Sequence, residues 1–398
     1  MMNRIQRLRR NESGMSYVFI GLSMMAFISA SMLAIDVGML MTARSQAQNS
    51  ADAGALAGAT SLLYDSYTDR SAGGPAVTNA IRGSQMNAVM SGQVSVGPAD
   101  VEFPNNPTTG EPNRVKVSVR RTAARGNPVA TLIARYFGMA TSDIGATATA
   151  EASPANAMDC VKPFTIPDKW TEKQTPPWDA SDTYDAYDNK GKPLANPDIY
   201  IPAYTSSGAP DPSYTGYRMF PRWPGDTTDV GTMLMIRAGT GNNISPSMYF
   251  SLAMTNDTGG ADYRWNIANC NTTHYHAGDP LVQEPGNMEG PTVQGIQELI
   301  AKDQGAQWDA GQGKVVNSAY GNHSPRIFPI PLYDPVYYDS GKRNGRNADL
   351  KTANWIGFFA DHVVGNNIYG IICPLTGIYD KNGPAPNSAL PKTIRLVQ

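Results

Sequence analysis

The sequence predicts an α+β protein in which an N-terminal transmembrane helix continues into a long extracytoplasmic helix, followed by a small α+β module and a mainly β C-terminal domain. Three observations predict this fold class. Residues 15–35 contain no charge, small residues at helical spacing continue to residue 62, and β-type segments dominate after residue 153. At 398 residues the chain has room for a membrane anchor and two folded units.

The apolar run is basic on one side only. Residues 1–14 contain four arginines and a single acid, Glu12. As a helix rising 1.5 Å per residue, the run from Met15 to Ile35 would be about 30 Å long, the thickness of a bilayer's hydrocarbon core. A cleaved signal peptide is the alternative, but its apolar region is usually only about 7–15 residues long. The basic residues predict a cytoplasmic leader over residues 1–14, with the rest of the chain after Asp36 outside.

The helix is predicted to continue beyond the membrane, over residues 15–63 in all. One of its faces is made of small residues, including Ala47, Ala51, Gly54 and Gly58, at steps of three or four. Gly54 and Gly58 form a G-x-x-x-G spacing, which allows another backbone to approach closely. From spacing alone, this contact face packs equally well on the chain's own domain or on another subunit.

Asp36 directly follows the uncharged run. A carboxylate at the centre of a bilayer costs about 2.5–3.5 kcal/mol on the insertion scale, so an acid at this position is expected at the membrane surface. The first interpretation is that its carboxylate stays solvated and marks the outer boundary of the span. The alternative is that Asp36 pairs with a cation on a neighbouring subunit.

Residues 64–152 are predicted to form the small α+β module. Residues 76–90 favour a second helix, and residues 114–121 and 143–152 alternate as half-buried strands do. Residues 127–138 are predicted as a third helix. Asn127 is its expected N-cap, Pro128 occupies the first turn and Gly138 ends it.

Residues 153–398 are predicted to form the β-rich extracytoplasmic domain, with one clear helix over residues 289–303. The predicted strands cover residues 232–238, 247–254, 326–334, 355–364 and 367–375.

The three cysteines share no C-x-x-C spacing, which argues against a zinc ribbon or a thioredoxin-type redox site. We predict a disulfide between Cys160 and Cys270, because Cys160 opens the β domain and Cys270 lies within it, and we expect Cys373 to stay free. His274 and His276 lie two apart and, with Cys270, are weak candidates for metal ligands. We predict no metal site and no cofactor.

Other classes of function find little support. The formal net charge of -2 gives no electrostatic basis for nucleic-acid binding. The common nucleophile and metalloprotease motifs, G-x-S-x-G and H-E-x-x-H, do not occur in the sequence. We therefore expect a protein that is not an enzyme.

The N-terminal residues carry a resemblance to a known family. The stretch "ESGMSYVFIGLSMMAFISASMLAIDVG", followed by "ARSQAQNSADAGALAGA", resembles the N-terminal segment of the TadE/TadG-like proteins of the tight-adherence (Tad, or Flp) pilus system. The resemblance is close over residues 10–62. The matching features are Gly14, the apolar span, Asp36 with Gly38, Arg44, Gln48, and Ala51 with Asp52 and the Ala/Gly run that follows.

The resemblance implies a single-pass protein of the bacterial inner membrane, a pseudopilin-like or minor structural component of pilus assembly with a pilin-like helix. Its implied partners are other Tad/Flp assembly proteins or pilin subunits, and a second copy of itself. Prepilin-type processing would cut between Gly14 and Met15. Phe19 stands at the fifth position after that cut, where processed pilins usually carry Glu. We therefore expect a partner retained in the membrane rather than a major pilin.

A second class of function remains open, an anchored adhesin or a module that binds a glycan or another partner. Its basis is the set of aromatic residues in the β domain, because such rings stack on sugars as well as filling cores. The residues are Trp170, Trp178, Tyr184, Tyr187, Tyr337 and Tyr338.

Overall fold

The computed structural model describes most of the chain after residue 12. The described residues are 13–107, 110–188, 190–207, 211–221, 227–239, 243–254, 259–286, 288–321, 323–343, 349–383 and 391–397. Residues 1–12, most of the expected leader, therefore lie outside the described part.

A single helix, α1, runs without interruption over Ser13–Tyr64. Its 52 residues span about 78 Å at 1.5 Å per residue, and no proline breaks it. The backbone N–H groups of Asp65 and Ser66 both bond to the carbonyl of Ser61 and close the last turn. The predicted continuous helix is confirmed, and it ends one residue beyond the expected position.

Helix α1 packs on an antiparallel four-stranded sheet together with a second helix, α2 (Pro75–Gln85). The strands, in spatial order, are β1 (Val101–Glu102), β2 (Arg114–Arg121), β5 (Ile144–Pro154) and β17 (Lys392–Val397). Buried valines of β2 and alanines of α1 and β5 form the core between helices and sheet. The strands predicted at residues 114–121 and 143–152 are confirmed as β2 and β5.

The helix predicted over residues 127–138 is wrong. The structure has instead a hairpin of two short strands, β3 (Val129–Ala130) and β4 (Thr141–Ser142), joined by a single 3-10 turn over Ala134–Phe137. Gly138 does end this turn, in the left-handed conformation at φ 90°. The N–H of Thr131 bonds across the hairpin to the carbonyl of Ala140. Cross-strand pairing therefore outweighs the local sequence signals that favoured a helix.

The C-terminal part is a closed β-barrel of six strands. Its order is β15 (Leu350–Val364), β14 (Ile327–Tyr333), β7 (Phe164–Pro167), β9 (Met248–Ser251), β8 (Met233–Ala238) and β16 (Asn367–Cys373), and β16 pairs again with β15. A further short strand, β11 (Pro280–Leu281), pairs with the start of β15. β14, β15 and β16 contribute alternate residues, including Ile330, Phe358 and Ile368, to the largest apolar core, called the barrel core below, which the helix over Glu289–Lys302 joins through Ile296 and Leu299. The mainly β second domain is confirmed.

Helices and short strand pairs surround the barrel. The helices are α3 (Gly260–Ala268), α4 (Glu289–Lys302) and α5 (Pro335–Arg343), of which only α4 was predicted. The short pairs join β6 (Ala157–Met158) to β10 (Tyr275–His276) and β12 (Gln307–Asp309) to β13 (Lys314–Val316). A Cβ on Gly295 of α4 would lie 2.7 Å from Ile267 of α3, so these two helices are in close contact.

The end of the chain returns to the first module. Strand β17 pairs antiparallel with β5, from Lys392 opposite Pro154 to Val397 opposite Thr149. Ile394 packs against both the barrel core and the module core. The predicted division at residue 153 placed this strand in the second domain, whereas the structure places it in the first sheet. Pairing between residues about 238 to 248 apart leaves no local pattern that a sequence could show.

Candidate functional site

The first part of α1 presents an apolar surface that the protein itself does not cover. The helix is long and apolar enough to cross a membrane, and none of its most apolar window is buried within the chain. All described side chains of residues 14–35 are exposed, including Phe19 at 65 % and Phe27 at 75 %. Because the core helix of a soluble protein would be mostly buried, this segment is a candidate transmembrane helix.

The small-residue face of α1 packs on its own module. Ala43, Ala47, Ala51, Ala55 and Ala59 are all buried in the module core. This is the first of the two arrangements that the spacing left open. The face is therefore covered within the chain.

Gly54 and Gly58 show why this face must be small. A Cβ at Gly54 would lie 2.8 Å from the carbonyl oxygen of Ala80 on α2, and one at Gly58 would lie 2.7 Å from Cγ1 of Val115 on β2. The hydroxyl of Ser50 donates a hydrogen bond of 2.8 Å to the carbonyl of Ser84 at the same helix contact. Two helix backbones can approach this closely only where side chains are absent or end at Cβ.

Asp36 also joins α1 to the module. Its carboxylate accepts hydrogen bonds from three successive backbone N–H groups, at 2.8 Å from Leu132, 3.0 Å from Ile133 and 2.5 Å from Ala134. Only 3 % of the residue is exposed. The first interpretation drawn from the sequence is therefore wrong in this fold, since the carboxylate does not stay solvated. Pairing with a cation on a neighbouring subunit stays a prediction.

Through these contacts a side chain of α1 caps the start of the 3-10 turn in the hairpin. The N–H groups at the start of a helical turn lack partners within the turn, and a carboxylate bonds them well because charge-assisted hydrogen bonds are short and strong. The two sides are 96 to 98 residues apart in sequence. No sequence signal names the partner, because the two sides are far apart in the chain.

The residues around this turn, 131–140, are called the hairpin tip below. The tip presents four large apolar side chains to the outside, Leu132, Tyr136, Phe137 and Met139, each more than half exposed. The guanidinium of Arg135 lies 4.9 Å from the ring centroid of Tyr136 and donates a hydrogen bond of 3.1 Å to its hydroxyl. An apolar surface with one cation therefore lies beside the point where the candidate transmembrane helix meets the module.

The expected processing site lies on the exposed part of α1. Gly14 is in the first turn of the helix, a Cβ there would have no atom within 4 Å, and Met15 is 62 % exposed. Both residues are therefore on the exposed surface of α1. Cleavage at this bond stays a prediction.

The structure joins Cys160 and Cys270 in a disulfide, the pairing that the sequence predicts, with an S–S distance of 1.85 Å. The N–H of Cys160 also bonds to the carbonyl of Asn271 at 2.9 Å, which fixes the start of the β domain beside the end of α3. Cys373 is free and buried. Burial raises the pKa of its thiol to about 12, so little of the reactive thiolate forms at neutral pH.

The weak metal candidates do not come together as a set. The sulfur of Cys270 is in the disulfide and cannot ligate as a thiolate. His276 instead lies between two acids, with Nε2 at 2.9 Å from Asp380 and Nδ1 at 3.4 Å from Asp279. His274 is exposed.

Half of the six aromatic residues that suggested glycan stacking fill the core, whereas Tyr187 is 36 % exposed. Trp170, Tyr184 and Tyr338 are buried, and the rings of Trp170 and Tyr184 meet edge to face with centroids 5.5 Å apart. Tyr337 is half-buried and lines a cleft of about 730 Å³ with Tyr338, Gln283 and Lys351 among others. The cleft is open to solvent on one side.

A buried acid that the sequence did not indicate organises the irregular segment before the barrel. The carboxylate of Asp168 accepts hydrogen bonds from the hydroxyls of Tyr200 (3.1 Å) and Tyr214 (2.5 Å) and from the N–H groups of Lys169 and Tyr217. Burial raises the pKa of Asp168 to about 7 against the opposing effect of these four donors. Its role is structural, because every partner belongs to the surrounding core.

The fold and this junction define a class of protein: a β-barrel domain carried on an α+β module with a candidate transmembrane helix. Residues 14–61 match the Flp pilus-assembly TadE/G-like family, and residues 38–150 match the Tad-like Flp pilus-assembly family. The N-terminal part of the chain is therefore TadE/TadG-like, which confirms the predicted family. Both matches end before the barrel. No curated protein and no solved structure matches the chain.

The helix contact predicts opposite effects for the same substitution at two glycines of α1. Gly54→Ala should lower the free energy of unfolding by about 1–3 kcal/mol, because its Cβ would overlap α2. Gly38→Ala is the matched control and should raise stability by up to about 1 kcal/mol, because a Cβ there meets no atom within 4 Å. Denaturant unfolding of the full chain in detergent measures both. Equal effects would contradict the contact.

Asp36→Ala should release the hairpin tip without unfolding the module. Losing three charge-assisted hydrogen bonds should speed amide exchange in residues 131–140 by about tenfold or more, while β2 and β5 stay protected. Thr42→Ala on the same helix is the control, since that hydroxyl bonds only the carbonyl of Gly38. Hydrogen exchange read by mass spectrometry makes the comparison, and unchanged exchange in Asp36→Ala would refute this role of the carboxylate.

Proposed function

We propose that this protein is a TadG-like, pseudopilin-like or minor structural component of Tad/Flp pilus assembly and has no enzymatic activity of its own. It is a single-pass protein of the bacterial inner membrane, with its N-terminus in the cytoplasm and its module and barrel outside. One observation carries the proposal: α1 passes without a break from a fully exposed apolar segment into the core of the family-matched module. The family matches and α1 together support a pilus-assembly component.

Subunit contacts are assigned to the membrane part of α1. The small-residue face after Ala43 is occupied by α2 and the sheet, whereas the side chains of residues 14–35 are exposed. Ala26, Ala30 and Ala34 lie four apart on this exposed part. Small residues at that spacing let transmembrane helices approach closely. The partners are pilus-assembly proteins, pilin subunits or a second copy of this chain.

Retention in the membrane is favoured over release into a filament. Residues 15–35 carry no charge, and the apolar ring of Phe19 replaces the acid of filament-forming pilins. Cleavage between Gly14 and Met15 would remove the basic leader and leave the span whole. The protein then acts as a fixed membrane element that holds its outer domain in the assembly machine.

A second candidate, an anchored adhesin or partner-binding module, is favoured by the cleft that Tyr337 and Lys351 line. An aromatic ring beside an ammonium group suits a polar or anionic ligand. The burial of Trp170, Tyr184 and Tyr338 removes much of the original argument for glycan stacking, so this candidate stands second.

Replacing Ala26, Ala30 and Ala34 together with leucine should abolish co-purification of pilus-assembly proteins while the chain stays in the membrane fraction, because the span remains apolar. The matched control replaces Met24, Met25 and Phe27 with leucine, which keeps large exposed side chains large. Quantitative mass spectrometry of the purified complexes compares the two. Undiminished partners in the alanine variant, with both variants folded, would exclude these contacts.

The orientation predicts which sites react with a membrane-impermeant maleimide in spheroplasts. In a Cys373→Ala background, Tyr320→Cys on the barrel should react at once, since Tyr320 is 53 % exposed. Asn3→Cys in the leader should react only after the membrane is permeabilised. The reverse order would overturn the orientation, and immediate labelling at both positions would overturn the span.

A further inference from the structure

The hairpin tip carries an apolar surface for which the proposed pilus role gives no account. Leu132, Tyr136, Phe137 and Met139 are exposed by 51, 75, 71 and 60 %. We propose that this surface lies in the interfacial region of the outer leaflet, as a second contact of the protein with the bilayer that α1 crosses. The inference rests on the proposed function, because it requires α1 to span the membrane.

The position of the tip along α1 follows from Asp36. The residue directly follows the uncharged run of residues 15–35, so it stands at the outer end of the span. Its carboxylate lies within 3.3 Å of three N–H groups of the tip. The tip is therefore held at the height of the membrane surface, where side chains need to reach only about 5–10 Å to enter the boundary between headgroups and acyl chains.

The chemistry of the tip suits that boundary. Residues 126–142 contain one charge, Arg135, among apolar and small polar residues. Tyr136 and Phe137 are residues of the kind that anchor proteins at membrane surfaces, and the guanidinium above the ring of Tyr136 can meet a lipid phosphate. The negative charge of Asp36 is not presented to the lipid, because only 3 % of the residue is exposed and three donors bond it.

Continuity with the span favours lipid over a protein as the occupant of this surface. On α1 itself, Val37 and Met41 are 43 and 69 % exposed just beyond Asp36. Apolar surface thus extends along the helix from the lipid-facing segment past the level of the tip. The same bilayer that covers residues 15–35 covers this continuation without any further partner.

Two contacts at different distances from the helix axis would fix the orientation of the outer domain. A lone span leaves the module free to rotate about the axis of α1, whereas a second contact beside it sets the rotation and the tilt. The barrel core includes Leu63, 27 residues beyond Asp36 and so about 40 Å further along α1. The barrel is thereby held away from the membrane in a defined direction.

The test places one nitroxide label at a time on the full-length chain in a Cys373→Ala background. The protein is reconstituted in vesicles of phosphatidylethanolamine and phosphatidylglycerol. Labels at Phe27→Cys in the span, Phe137→Cys in the tip and Tyr320→Cys on the barrel report depth through collisions with oxygen and with a water-soluble nickel chelate. All three side chains are exposed, so the replacements leave the core intact.

We expect the label at position 27 to lie deep in the bilayer and the label at position 320 to lie in water. The collision rate of the label at 137 with the nickel chelate should be lower than that of the label at 320 by a factor of about three or more. Adding Asp36→Ala should bring the label at 137 toward the aqueous value. An aqueous label at 137 with a deep label at 27 would overturn the tip contact and leave the span standing. Aqueous labels at both positions would overturn the proposed anchoring itself.

The same labels distinguish a lipid contact from coverage of the hairpin tip by a protein. If a second copy covered the tip, the spectrum at 137 would broaden through dipolar coupling, and dilution with unlabelled protein would remove the broadening. That result with an aqueous depth at 137 would overturn the lipid contact.

Discussion

Close packing between the small-residue face of α1 and its own module is the interaction on which the rest of the structure depends. Alanines from Ala43 to Ala59 and the two glycines let α2 and the sheet approach the helix backbone. The small side chains bury little apolar surface in this contact, and dense packing of backbone against backbone stabilises it instead. Because α1 is a single unbroken helix, whatever fixes residues 43–64 also fixes the direction in which residues 14–35 leave the module.

Buried carboxylates accept hydrogen bonds from donors in the irregular segments, as neighbouring strands do for each other in a sheet. Asp36 bonds three N–H groups of the hairpin tip, and Asp168 gathers two tyrosine hydroxyls and two N–H groups before the barrel. Asp303 accepts hydrogen bonds from the hydroxyls of Ser318 and Ser324 and from the N–H of Ala319 after α4. In each case one acid satisfies several donors that a loop would otherwise leave unpaired. These acids are therefore framework residues rather than candidates for catalysis.

The module and the barrel are connected through shared secondary-structure elements. Strand β17 leaves the barrel region to complete the module sheet, and Leu63 of α1 reaches into the barrel core. The family-matched module and the unmatched barrel thus share a strand and a helix end, which makes the barrel an extension of the anchor rather than a domain on a flexible tether. Such a connection suits a component that must hold its outer part at a set place in an assembly.

The sequence by itself determined the elements whose signal is local. The uncharged run gave the candidate transmembrane segment, the spacing of small residues gave the length of α1, and strand-type patterns gave β2, β5 and every barrel strand except β7, because each pattern repeats with the period of its own structure. The family resemblance also lay in that stretch. Only the tertiary structure decided what each face meets: that Gly54 faces α2, that Asp36 bonds the hairpin at residues 132–134, and that β17 joins β5. These partners lie about 26 to 248 residues away, and a contact between distant residues leaves no periodic trace in either segment. The hairpin over residues 129–142 also overrode the local helix signals at residues 127–138.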